Sequence, residues 1–146
     1  MTKFPIPDGV FLNWNVSRKK YKPISSEIKE ILAKHLAWIN GKINGKKADL
    51  SYADLTGANL SYANLHGANL SNADLMGAYL RYTGLSNANL TEADLFNADL
   101  RYADLYQADL SYAQLQDADL TNADLSNANL SDAVLTGANL TGVKGL

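Results

Sequence analysis

The chain has 146 residues, a formal net charge of −2 and 47% hydrophobic residues, which suits one compact domain. It contains no cysteine, so disulfides, thiolate metal sites and cysteine nucleophiles are excluded. No stretch approaches the roughly 20 apolar residues of a membrane-spanning helix. Met1-Thr2-Lys3-Phe4-Pro5-Ile6-Pro7 lacks the apolar run of a secretory signal, so a cytoplasmic location is expected.

Residues 1–47 read as an arm and a helix. Val10-Phe11-Leu12-Asn13-Trp14-Asn15-Val16 has the composition of a strand, and the basic run Arg18-Lys19-Lys20 follows it. Residues 1–22 are expected to form an ordered arm. Ser25-Ser26-Glu27, just after Pro23, is a helix start with an acid in the first turn. Ile28, Ile31, Leu32, Leu36 and Ile39 then recur at helical spacing with Trp38 beside them, and Asn40-Gly41 supplies the stop. A helix over about 26–40 is expected, with Asn44-Gly45 turning the chain onward.

From Leu50 to Leu140 every fifth residue is leucine, 19 in succession. Alanine stands two residues before each, with Thr83 the sole exception, and Asp or Asn usually lies between. A period of five fits neither the 3.6 of a helix nor the 2 of a long strand. It fits a short extended segment followed by a corner. Within Ala-X-Leu, alternation puts Ala and Leu on one side and Asp or Asn on the other. A chain that keeps Leu and Ala inside must turn at every repeat, winding an all-β solenoid with a leucine interior.

Tandem Ala-(Asp/Asn)-Leu-X-X resembles the pentapeptide repeat family over residues 48–142. The resemblance implies a right-handed quadrilateral β-helix with one pentapeptide per face. Nineteen repeats would make nearly five coils, capped by the N-terminal helix and followed by a short tail, 143–146. At roughly 4.8 Å per coil the shaft would be on the order of 23 Å long. The helix residues His35 and Trp38, with Gly41 and Gly45 after them, are similar to the lead-in of several bacterial members.

With four faces, residues 20 apart stack. Gly57, Gly77, Asn97, Asp117 and Gly137 share a corner column suited to type II turns. Tyr62, Tyr82 and Tyr102 share another. Tyrosine disfavours positive φ, so a more open turn is expected there, with the rings forming a ladder. After Leu140 no helix can follow. The last coil, with Leu125, Leu130, Leu135, Leu140 and Val143, is expected to be an open apolar end able to form a homodimer.

Chemistry is sparse. His35 reads as a packing or cap residue. His66 should point outward above Ser86 and Tyr106, without the oriented carboxylate or nucleophile turn of a hydrolase. No cofactor and no metal are expected, although Asp54, Asp74 and Asp94 stack into an acidic ladder able to hold a cation weakly. The column Thr56, Met76, Phe96, Gln116, Thr136 is no ice-binding threonine array.

The net charge conceals a polarity. Residues 1–47 carry ten Lys or Arg and three acids, about +7; residues 48–146 carry three basic residues and twelve acids, about −9. An acidic rod is similar to the gyrase-protecting branch of the family, which resembles duplex DNA. Duplex DNA, however, carries one charge per ~1.7 Å, and these acids are shared among four faces. The other outward feature is apolar and aromatic: Met76, Tyr79, Arg81, Tyr82, Phe96, Arg101, Tyr102 and Tyr106, types favoured at protein interfaces. The expected function is therefore non-enzymatic protein binding or scaffolding through that face. The alternative is a DNA mimic that modulates a type II topoisomerase. Direct nucleic-acid or membrane binding is not expected.

Overall fold

The structure, a computed structural model, describes residues 22, 23 and 25–146. The expected strand Val10–Val16 and the basic run Arg18-Lys19-Lys20 lie outside the described residues.

Helix α1 spans Ser25–Ile39. Ile28, Ile31 and Leu32 pack against the first coil, as their spacing requires. The residue that goes deepest is His35, wholly buried, while Leu36 remains half exposed. The helix closes with Asn40 N–H and the Asn40 side-chain amide both donating to Leu36 O. Gly41 takes a positive φ of 65°. The chain then doubles back along the helix. Lys46 N–H donates to Lys34 O at 3.0 Å, and at Gly45 a Cβ would fall 2.2 Å from the Trp38 backbone nitrogen. Only glycine fits that approach.

Beyond Ala48 the chain forms a lattice. Residues pair in parallel with those 20 further on, from Asp49 with Asn69 to Asp124 with Lys144. Four pentapeptides therefore complete each turn, giving four faces. Face 1 begins with residues 48–50, face 2 with 53–55, face 3 with 58–60 and face 4 with 63–65. Each pentapeptide bonds to the next coil in the same way. Leu70 N–H donates to Asn89 O, Asn72 N–H to Thr91 O, and Ala68 O accepts Asn89 N–H, at 2.7 to 2.9 Å. The repeating leucines from Leu50 to Leu125 and most of the alanines fill the interior. Thr83, the one departure from alanine, is also buried, and its hydroxyl donates to Leu60 O at 2.9 Å.

The corners are uniform. In each, the N–H three residues after a leucine donates back to the leucine carbonyl, as Ala73 does to Leu70 at 3.1 Å. The second residue after each leucine has positive φ, between 54° at Asn97 and 77° at Gly137. That sign belongs to the third residue of a type II turn. The tyrosine corners are no exception: Tyr62, Tyr82 and Tyr102 have φ of 63°, 56° and 59°. The expectation of a more open turn there is thus overturned. Two residues must turn the chain and close the Leu C=O bond, so the lattice dictates φ and the tyrosine bears the strain, on the order of 1 kcal/mol.

The final coil differs from the rest. Leu130, Leu135, Leu140 and Val143 are only partly buried. Leu125, expected among them, is 1% exposed. Residues 143–145 continue the coil over it in the same parallel register, Asp124 pairing with Lys144, and Leu125 N–H donates to Lys144 O at 2.8 Å.

Candidate interaction face

The outward Asp and Asn residues have a local task. The first corner residue has an N–H that the lattice leaves unpaired, and the preceding Asp or Asn accepts it, as Asp94 Oδ1 does from Phe96 N–H at 3.1 Å. Asn64 does the same for His66 at 3.1 Å. This is an Asx turn, which either residue type makes equally well. The hydroxyl of Ser111 adds a second bond to Asp109 Oδ1 at 2.7 Å, and these bonds hold the Asp109 carboxyl below the usual carboxylate range. Asp54 and Asp124 are lowered by the same kind of bonds from Thr56 and Ser126.

Asp54, Asp74 and Asp94 do stack on face 2. Each is engaged with the N–H of its own corner, and Asp54 also pairs with Lys22 at 3.5 Å. Among the described residues no group of three or more His, Asp or Glu is arranged to hold a metal ion.

Face 3 and its two corners gather most of the expected interaction residues. Met76 and Phe96 stand at the corner entering the face, Tyr79 at its middle, and Arg81, Tyr82, Arg101 and Tyr102 at the corner leaving it. Tyr79 is 53% exposed because face alternation turns it outward in place of an Asp or Asn. Tyr62, Tyr82 and Tyr102 stack with centroids 5.1 and 4.8 Å apart and planes 10° and 6° from parallel. Ion pairs brace this ladder. Arg101 grips Asp99 with two bonds, 2.7 Å from Nε to Oδ1 and 2.5 Å from Nη2 to Oδ2, and also reaches Asp119 at 3.5 Å. The arginine holds the Asp99 carboxyl below its ordinary range, and its own pKa is raised in return. Arg81 lies 3.9 Å from Asp99 and 5.9 Å from the Tyr82 ring centroid. Tyr106 stands apart at the next corner, beyond face 4, near His66 and Ser86. There His66 Nδ1 and Ser86 Oγ are hydrogen-bonded at 2.9 Å.

Two features escaped the sequence reading. His35 Nδ1 accepts Ala48 N–H at 3.0 Å, tying α1 to the first repeat, while its ring stacks on Trp38 at 5.5 Å. Burial is the main cause lowering its pKa from 6.5. The other is the notch at the bare middle of face 4; Gly84 is legible in the sequence as a departure from the usual Asp or Asn, but the notch around it is not. No helix among the described residues is long and apolar enough to cross a membrane.

The family model described as "Pentapeptide repeats" matches residues 46–77, 73–111 and 113–144. Among solved structures, a pentapeptide repeat protein of the Arabidopsis thaliana thylakoid lumen is 35% identical, with a TM-score of 0.60. That match covers 62% of this chain and 63% of the other, less than two thirds of its length. Another, from the cyanobacterium Cyanothece 51142, is 33% identical over 64% of this chain and 68% of its own, with a TM-score of 0.43. QnrB1, a plasmid-mediated fluoroquinolone resistance protein, is 21% identical over 68% of this chain and 66% of its own, with a TM-score of 0.31. No curated protein matches the chain.

Proposed function

Because the chain belongs to the pentapeptide repeat family, we propose that it is a non-enzymatic, cytoplasmic protein-binding module whose partner docks on face 3 and its flanking corners. The supporting observation is the braced tyrosine–arginine corner beside exposed Tyr79, Met76 and Phe96. Ion pairs that hold these side chains in place reduce the ordering cost of binding, and Tyr and Arg are favoured as binding hot spots. The test is affinity purification from the source cell with the chain as bait. A partner held by the wild type should be lost by a Tyr79→Ser, Phe96→Ser variant of unchanged thermal stability. Equal retention would sink this reading.

The topoisomerase-mimic alternative is weakened by the Asx turns. An acid that caps a corner N–H is placed by the five-residue repeat, and asparagine serves the same purpose beside it on face 4, where Asn64 and Asp104 each cap a corner. No inhibition or protection of gyrase supercoiling is therefore expected at micromolar protein, and protection would reinstate the mimic. Separately, the 146-residue chain is proposed to pair end to end through Leu130, Leu135, Leu140 and Val143, which are only partly buried. A monomer mass by light scattering would remove that proposal.

A further inference from the structure

Gly84 is the only glycine among the middle positions of the repeats, where Asp or Asn otherwise predominates. Nothing in the fold demands it. Its φ is not positive, and a Cβ built there would meet Asn64 Oδ1 at an ordinary 3.7 Å. Glycine inside an extended segment weakens it, and often marks a place where another backbone or a ligand comes close. Here it leaves a notch of about 390 Å³ on face 4, walled by Tyr62 and Tyr82 on one side and His66 and Ser86 on the other, with Asp104 at one end.

The notch presents two hydrogen-bonding groups of opposite kind. Ser86 N–H is the corner donor that an Asp or Asn at position 84 would have capped, and none of the backbone or side-chain bonds of the lattice uses it. Asp104 accepts Tyr106 N–H through Oδ1 at 3.1 Å, and it lines the notch as an exposed carboxylate. A lone metal ion would satisfy the carboxylate and be repelled by the N–H. An extended peptide satisfies both, with a carbonyl on Ser86 N–H and a cationic side chain on Asp104. The surplus of acids over residues 48–146 favours a cation as well.

We propose that the Gly84 notch binds an extended segment of a partner protein, its backbone passing over Gly84 and a lysine or arginine side chain lying along the tyrosine rim against Asp104. The proposal rests on the reading of the chain as a protein-binding module, but uses face 4 rather than face 3.

The probe is an acetylated, amidated Ser-Gly-Arg-Gly-Ser peptide, with its glutamate counterpart as control, titrated into the 15N-labelled full chain. The arginine probe should move the Ser86 amide downfield and saturate with a Kd on the order of 1 mM. The glutamate probe should leave that amide in place. Gly84→Asn, which supplies the missing Asx bond, should abolish the Ser86 shift and raise Tm by about 3 °C. Asp104→Asn should weaken the arginine probe about threefold. The proposal is overturned by a Ser86 amide that does not move, by shifts unchanged in Gly84→Asn, or by equal shifts along Asp54, Asp74 and Asp94. The Tyr79→Ser, Phe96→Ser variant should bind the probe like the wild type, which separates failure of the notch from failure of face 3.

Discussion

Between Ala and Leu, wherever Asp or Asn stands, what matters in the side chain is one oxygen. Asp94 Oδ1 accepts the Phe96 N–H, and an asparagine oxygen would do so equally well. Asp94→Asn should therefore leave stability nearly unchanged, whereas Asp94→Ala should cost about 0.5–1.5 kcal/mol in urea unfolding. His35 is the other residue with an assigned atom. Its Nδ1 accepts from Ala48 N–H, so it must be unprotonated there, and burial lowers its pKa from 6.5. Lys47 and His66 lie close enough for their charges to push in the same direction, against the backbone of His66. A pKa lower in the folded state means that the unfolded chain binds the extra proton. The stabilisation is full above about pH 6.5 and is lost as pH falls below it. Trp38 fluorescence, read in a Trp14→Phe background, should report α1 loosening between pH 7 and 5. His35→Asn, which keeps an acceptor, should remove that dependence. The carboxylates lowered by their Asx bonds and ion pairs act in the same sense at lower pH, below the ordinary value of 3.8.

At the scale of elements, α1 and the shaft are joined by a narrow seam. It consists of the packing of Ile28, Ile31 and Leu32 on the core, the His35 bond and the close return of the chain at Gly45. Gly45→Ala would place a methyl 2.2 Å from the Trp38 nitrogen and 2.6 Å from the Ala37 carbonyl carbon. Neither backbone atom can yield without moving the helix. A cost of about 1–3 kcal/mol is expected, seen as a lower Tm and earlier amide exchange in residues 25–39 than in the shaft. Helical periodicity at Ile28, Ile31 and Leu32 made the apolar side of α1 legible. The burial of His35 was not, because a histidine on an amphipathic helix carries no mark of the Ala48 N–H that completes it.

Over the whole molecule, each coil touches only its neighbours, so the cost of a change depends on its place along the axis. Leu90 is 0% exposed, deep inside the stack, and Leu90→Ala should cost about 2–5 kcal/mol. Leu135→Ala, in the partly buried final coil, should cost clearly less. Equal losses would mean that the final coil is covered as fully as the middle ones. Leu90→Asp should split the stack at its middle. The tyrosine ladder likewise belongs to the whole: Tyr62, Tyr82 and Tyr102 lie 20 residues apart and meet only because each turn takes four repeats.

The five-residue period, read alone, established the solenoid, the leucine and alanine interior and the outward Asp and Asn, because which side a residue faces follows from alternation within a single repeat. It could not establish what happens between repeats. Coil closure imposed positive φ on Tyr62, Tyr82 and Tyr102 against their preference. The final residues covered Leu125 and left Leu130 and Leu135 partly open. Stacking joined Arg101 to Asp119 and surrounded Gly84 with Tyr62, Tyr82, His66 and Asp104. These outcomes depend on contacts between residues about 20 positions apart, and on the return of the chain along α1, whose energies no single repeat contains.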